Sequence, residues 1–236
     1  MYRQTQIKPF DLARFRREAE KLKQTEQPYL GFLFLGALAV LDERWDGGGK
    51  LAELENCIEK ARMLPHDTDI LYSGYCNALV RLGAREAAAS VVAEYAVILT
   101  DSISGLKSCL EYTRFTGQIG LAEDIIARLE GLGKDMDIYA QEMRDLKSVI
   151  DESSIRVLLA RAGELMRGFG LVNIGSERNF TEDGFFLNLL LLPDSDKEKA
   201  WKCDIALTDL KVRYSLDNGI DLSRFILGCD IAGDPV

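Results

Sequence analysis

Apolar residues recur at intervals of three and four from Pro9 to about Ile150, interrupted by short groups of glycine, proline and polar residues. This spacing predicts a succession of helices over 10–24, 28–44, 49–64, 68–82, 85–99, 103–116, 119–131 and 136–150. Pro65 prevents one helix from continuing, and Asp67 or Thr68 can cap the next. Gly83 and Gly117 fall where tight turns between helices need a permissive residue. Beyond Asp151 the pattern changes. Residues 153–167 read as one more helix, followed by the glycine-rich stretch GFGLVNIGSERNFTEDG. FFLNLLLLP (185–193) suits a strand buried on both faces, and RFILGCDI (224–231) is a second strong strand. Between them, Trp201, Cys203, Ile205 and Leu207 alternate like a strand, whereas Cys203, Ala206, Leu207, Leu210 and Tyr214 form a helical stripe. Ser195-Asp196-Lys197-Glu198, a capping-box pattern directly after Pro193, favours a helix over 196–213, with a hairpin as the alternative. Asp217-Asn218-Gly219 then reads as a turn. The expected fold is mainly α: a helical array over 1–151 and a small α+β module, approximately α-β-β-α-β, over 152–236.

The array repeats itself. RLGAREAAASVV (81–92) and FTGQIGLAEDII (115–126) align with Gly83 over Gly117 and Ala88 over Ala122. With Gly49 as a third anchor, Leu54, Ala88 and Ala122 stand five residues on, Ile58, Val92 and Ile126 nine on, and Ala61, Tyr95 and Leu129 twelve on. Small or apolar side chains thus recur where the second helix of a hairpin packs against the first, the logic of a helical solenoid. The region 27–133 resembles tetratricopeptide (TPR) repeats, which have a period of 34, a turn glycine, a small residue five later and a large one at nine. Gly83, Ala88 and Val92 match, as do Gly117, Ala122 and Ile126. The first-helix pattern departs from the family: Tyr72, Tyr75, Cys76 and Leu79, then Leu106, Cys109, Leu110 and Thr113, replace its usual Trp, Leu, Gly and Tyr. Leu54 and the DGGG turn depart from it in the first copy. The α+β module resembles no family.

The resemblance implies right-handed stacking of hairpins and a protein-binding concave face lined by the first helix of each pair. Positions ten, six and two or three before the turn glycine carry over to Ser73, Asn77 and Arg81, and to Lys107, Glu111 and Arg114. Each set also falls at i, i+4 and i+7 or i+8, which makes one polar stripe on a helix.

Charge restricts the partner. A net charge of −9 over 236 residues disfavours DNA and other polyanions, whose binding depends on Lys and Arg neutralising phosphates. A protein with a basic surface suits it better. Arg14, Arg16, Arg17, Lys21 and Lys23 could contact RNA, but they fit better as the solvated face of a first helix whose apolar face is Phe10, Leu12, Phe15, Ala19 and Leu22. YLGFLFLGALAVL (29–41) is too short to span a bilayer and reads as a buried helix. Cys57, Cys76, Cys109, Cys203 and Cys229 lack CxxC spacing and read as reduced, mostly buried thiols. With no secretory signal in MYRQTQIKPF, they point to a cytoplasmic protein in which the sequon at Asn179 is idle.

No chemical motif rises above its structural explanation. His66 follows Pro65 in a turn, and Cys57, His66 and Cys76 lack zinc-ligand spacing. Gly47–Gly49 precede a helix, but the P-loop GK[ST] is missing and an interhelical turn explains them. No cofactor or metal is implied. The expectation is therefore a non-enzymatic, protein-binding adaptor; an antitoxin, an immunity protein or a dedicated chaperone for a basic partner is its narrower form. The alternative is an enzyme with carboxylates from Glu177, Asp183 or Asp194, joined by Arg178 or Arg224, in a site between array and module. Homo-oligomerisation remains open.

Overall fold

The computed structural model describes residues 8–42, 47–99, 102–171, 175–192 and 197–231, with ten helices and three strands among them. They follow in the order α1 (Pro9–Leu22), α2 (Pro28–Val40), α3 (Gly47–Arg62), α4 (Thr68–Arg81), α5 (Arg85–Ile98), α6 (Ile103–Thr116), α7 (Ile119–Gly131), α8 (Asp137–Lys147) and α9 (Glu152–Gly168). The C-terminal part continues with β1 (Gly175–Phe180), β2 (Phe186–Leu192), α10 (Lys197–Asn218) and β3 (Phe225–Ile231). The chain is thus mainly α with a small C-terminal α+β part.

The helix boundaries have local causes. Asp67 accepts the Ile70 amide at 2.9 Å and starts α4, while Ser102 accepts Gly105 N at 3.1 Å and starts α6. Gly83 and Gly117 take left-handed φ values of 67° and 72°, as the tight turns require. The triple glycine behaves otherwise than expected: Gly47–Gly49 form the first turn of α3 rather than a connecting turn. Phe10 also departs from the expected buried face of α1, being 72% exposed, whereas Leu12 and Ala19 are buried against Leu38 of α2.

Successive helices pair, α4 with α5 and α6 with α7, and α4 also packs on α6. The aligned small and apolar positions all lie inside. Leu54, Ala88, Val92, Tyr95 and Leu129 are fully buried, and Ala122 and Ile126 nearly so. Tyr95 stacks on Tyr72 of α4 with ring centroids 5.3 Å apart.

α9 runs across the turns of both hairpins. A Cβ on Gly163 would lie 2.2 Å from the Gly83 carbonyl oxygen, and one on Gly117 would lie 3.2 Å from the Arg156 amide nitrogen. The two contact points on α9, Arg156 and Gly163, stand seven residues apart, about 10.5 Å along the helix axis. That is close to the interaxial distance of packed helices. The turn glycines therefore serve twice, permitting positive φ and letting the α9 backbone approach. Glu152, at the start of α9, accepts the Gly120 amide at 2.8 Å.

The sheet has the order β1-β2-β3, with β1 antiparallel to β2 and β3 parallel to β2. Phe186, Asn188, Leu190 and Leu192 of β2 are buried, while the alternating Leu187, Leu189 and Leu191 are half-buried. α10 is the crossover to β3. Its capping-box positions before Lys197 lie outside the described residues, and the helix runs on through Asp217 and Asn218, where a turn was expected, to end at Gly219 (φ 64°). One apolar core extends from Tyr29 in α2 to Leu227 in β3.

Candidate binding surface

The expected partner-binding residues occupy one side of α4 and α6, and the structure divides them. Ser73 and Asn77 are half-buried, and Lys107 is exposed. Ser73 is fixed by Tyr112, whose hydroxyl donates to the Ser73 carbonyl at 2.8 Å and lies 3.2 Å from its Oγ. Arg81, at the C-terminal end of α4, is half-buried as well.

Glu111 and Arg114, one turn apart on α6, belong to a charged network that links the array to the sheet. Arg114 grips Glu142 of α8 with two nitrogens, at 3.1 and 2.9 Å, and donates to Glu111 at 3.1 Å. The Tyr139 hydroxyl donates to the other Glu111 oxygen at 3.0 Å. From the opposite side comes Arg178 of β1, whose side chain is 1% exposed. It donates to Glu142 at 3.2 Å, to Asn188 Oδ1 at 2.8 Å and to the Arg114 carbonyl. Arg178 and Asn188 are directly paired across the β1–β2 ladder, which places both on one face.

Burial and Glu142 act in opposite senses on these cations. For Arg178 burial prevails over Glu142 and lowers its pKa to about 10. Burial also works against the Arg114 charge, but Glu142 and Glu111 together outweigh it and raise its pKa. A third guanidinium, Arg85 at the start of α5, is 2% exposed and approaches the same helix end, donating to the Phe115 carbonyl at 3.2 Å and lying over the Phe115 ring. Its Nε and Nη2 have no partner, and burial, reinforced by Arg178, lowers its pKa to about 9. Arg178 and Arg85 thus donate to consecutive carbonyls at the negative end of α6.

Beside this network an open cleft of about 630 Å³ separates α8 from β1. Asp137, Ile138, Gln141, Glu142, Arg144 and Asp145 form its α8 wall, and Arg178, Asn179, Phe180 and Phe186 its strand wall. Ile138 is 83% exposed, and Asp137 lies in the first turn of α8. Among the described strands β1 pairs only with β2, which leaves its other edge without a strand partner there.

Other candidates are placed as follows. Glu177 is exposed on β1 and alternates in side with Arg178; Asp183 lies in the exposed β1–β2 turn; Asp194 lies outside the described residues. Arg224 donates to the Gly184 carbonyl at 2.8 Å, so the structure does not gather these groups around Arg178. His66 has its Nδ1 2.7 Å from the Leu64 carbonyl oxygen within the α3–α4 turn. No group of three or more His, Cys, Asp or Glu among the described residues is placed to hold a metal ion. All five cysteines are free, with Cys57, Cys76, Cys109 and Cys203 buried and Cys229 half-buried; burial raises the Cys57 pKa to about 11 and that of Cys109 to about 12. On α1, Arg14 pairs with Asp11, Arg16 with the buried Asp42, Lys21 with Glu18 and Lys23 with Glu20, which reduces the cationic field available to a polyanion. No helix among the described residues is long and apolar enough to cross a membrane.

Tyr139, Glu142 and Asn188 were not singled out from the sequence. Each is an ordinary polar residue in its own element, and only the packing of α8 and β2 around α6 gives it a role. No family model, curated protein or solved structure matches the chain.

Proposed function

We propose that this chain is a non-enzymatic adaptor of TPR-like kind that receives a segment of another protein along α4 and α6 and in the adjoining α8–β1 cleft. The observation that carries this reading is the cleft itself, whose α8 wall carries an exposed isoleucine together with Asp137 and Asp145, with Arg144 the cation among them. Ile138 offers an apolar anchor, Asp137 and Asp145 suit a basic side chain, and the β1 edge offers backbone groups to an extended segment. The Arg178–Glu142–Arg114 network supports the site by holding α8 and β1 at fixed separation. An overall charge of −9 adds long-range attraction for a basic partner. Antitoxin, immunity protein and dedicated chaperone all fall within this reading, since each shields a basic protein, and a cytoplasmic setting fits the five free thiols.

Site-specific photo-crosslinking tests it. A photoreactive phenylalanine analogue at Ile138 and another at Lys107 should capture the same protein. One at Met63, 88% exposed just beyond the end of α3, should not. Capture at Met63 alone, or of different proteins at the two sites, would remove the reading.

A further inference from the structure

α10 is apolar on two sides. Cys203, Leu207 and Tyr214 are buried against the rest of the protein, while Trp201, Ile205, Val212 and Leu216 are 65%, 49%, 44% and 77% exposed. At about 100° per residue these four fall within an arc of about 60°, roughly opposite the buried side. They form a stripe about 22 Å long on a helix of 22 residues. Isolated exposed apolar residues are ordinary, but an aligned stripe of four marks an interaction surface.

The order of the stripe identifies the occupant. Its spacings of four, seven and four read the same in both directions, with Thr208 and Asp209 at the centre. A second α10 laid antiparallel about a two-fold axis at that centre sets Trp201 against Leu216 of the other copy and Ile205 against its Val212. Exposed Thr208 is small enough to let the helices approach where they cross. A patch that complements itself under a two-fold rotation is what an isologous dimer needs. The charged flank does not oppose it, because Glu198 pairs with Lys202 at 2.6 Å and Asp209 with Arg213 at 2.7 Å, so this flank is neutral in a chain of net charge −9. With about 200 Å² for a fully exposed large apolar side chain, the four exposed fractions amount to about 470 Å² per copy. Complete burial of the stripe in two copies removes about 940 Å², so the residues that flank it, Thr208 among them, must supply the remainder of the roughly 1,000 Å² that a specific interface requires.

We propose that α10 is a homodimerisation helix that pairs antiparallel with α10 of a second copy. The contact is independent of the α8–β1 cleft. Sedimentation velocity of the full chain from low micromolar to about 200 µM should show a dimer forming, with a blue shift of Trp201 fluorescence measured in a Trp45→Phe background. The double variant Ile205→Glu, Val212→Glu changes only exposed positions; it should keep the wild-type melting curve and remain monomeric. A short thiol cross-linker should join copies of Thr208→Cys. It should not join copies of Glu198→Cys, which antiparallel pairing holds about 31 Å apart by the helix rise. A wild-type chain monomeric throughout, a dimer that survives the double variant, efficient cross-linking at position 198, or a monomer whose α10 captures a different protein would each overturn the proposal.

Discussion

Two buried guanidiniums reach the C-terminal end of α6, and replacing each by methionine should have unequal consequences. Arg178 is fully engaged, with donors on Glu142, Asn188 and the Arg114 carbonyl. In Arg178→Met the Asn188 and Arg114 oxygens lose their donor, and Glu142 keeps only Arg114. Breaking a buried pair costs about 3–5 kcal/mol, and the surviving bidentate contact places this case near 3 kcal/mol. For a chain of this size that corresponds to a fall in melting temperature of about 6–12 °C. Arg85 donates one hydrogen bond and makes one ring contact, while two of its nitrogens are buried without a partner. The hydrogen bond and the ring contact that Arg85→Met removes are worth about 1–2 kcal/mol, and relief of an unneutralised buried charge offsets that loss or exceeds it. The variant should melt within about 3 °C of wild type, or above it.

The pH dependence gives an independent check. The folded-state pKa of Arg85 lies at about 9, below the ordinary 12.5, so the destabilisation is fully present below pH 9. As the pH rises beyond 9 the unfolded chain binds more protons than the folded one, and the Arg85 contribution becomes less unfavourable. Any advantage of methionine at 85 should therefore shrink between about pH 8 and pH 10.5. Calorimetry of both variants across that interval decides the matter. An Arg85→Met loss as large as that of Arg178→Met, or a difference independent of pH, would refute the distinction between a satisfied and an unsatisfied buried cation.

Gly163→Ala places a methyl 2.2 Å from the Gly83 carbonyl oxygen and should cost about 2–3 kcal/mol by thermal melting, whereas Gly168→Ala, with open space around it, should not destabilise. Ala88→Glu and Ala122→Glu each bury a charge between helices and should unfold the array at a cost of several kcal/mol, visible as loss of helical circular dichroism. Asp151 caps α9 by accepting from Ser153 Oγ and from Ser154 Oγ and N, and those bonds hold its pKa at about 2 against an ordinary 3.8. Its contribution is present above pH 4 and lost as the pH falls towards 2. Asp151→Ala should therefore lower stability by about 1 kcal/mol at neutral pH and match wild type near pH 2.

Most of the helices were legible because their causes are local. Asp67 and Pro65 mark an end, and glycine at 83 and 117 marks a turn whatever surrounds it. The second use of those glycines was not legible, because their closeness to Gly163 and Arg156 depends on α9 returning across the hairpins from later in the chain. Gly47–Gly49 mislead for the converse reason: weak helix formers read as a turn, yet they begin α3, whose later turns are anchored by buried Leu54 and Ile58. At the candidate surface, repeat spacing singles out Glu111 and Arg114, but nothing in the local pattern points from them to Glu142 or Arg178. The ambiguous α10 segment has a physical basis too, since both of its sides carry apolar residues and no single period dominates.

The central claim is that a basic partner segment occupies the α8–β1 cleft, and its most direct test is a titration of the captured partner against cleft variants. Asp137→Lys combined with Asp145→Lys should weaken binding at least tenfold without altering the melting temperature by more than about 4 °C, since two surface substitutions at about 0.5 kcal/mol each amount to about 1 kcal/mol. The loss should diminish as salt is raised. Wild-type affinity in that double variant, with its fold intact, would contradict the account.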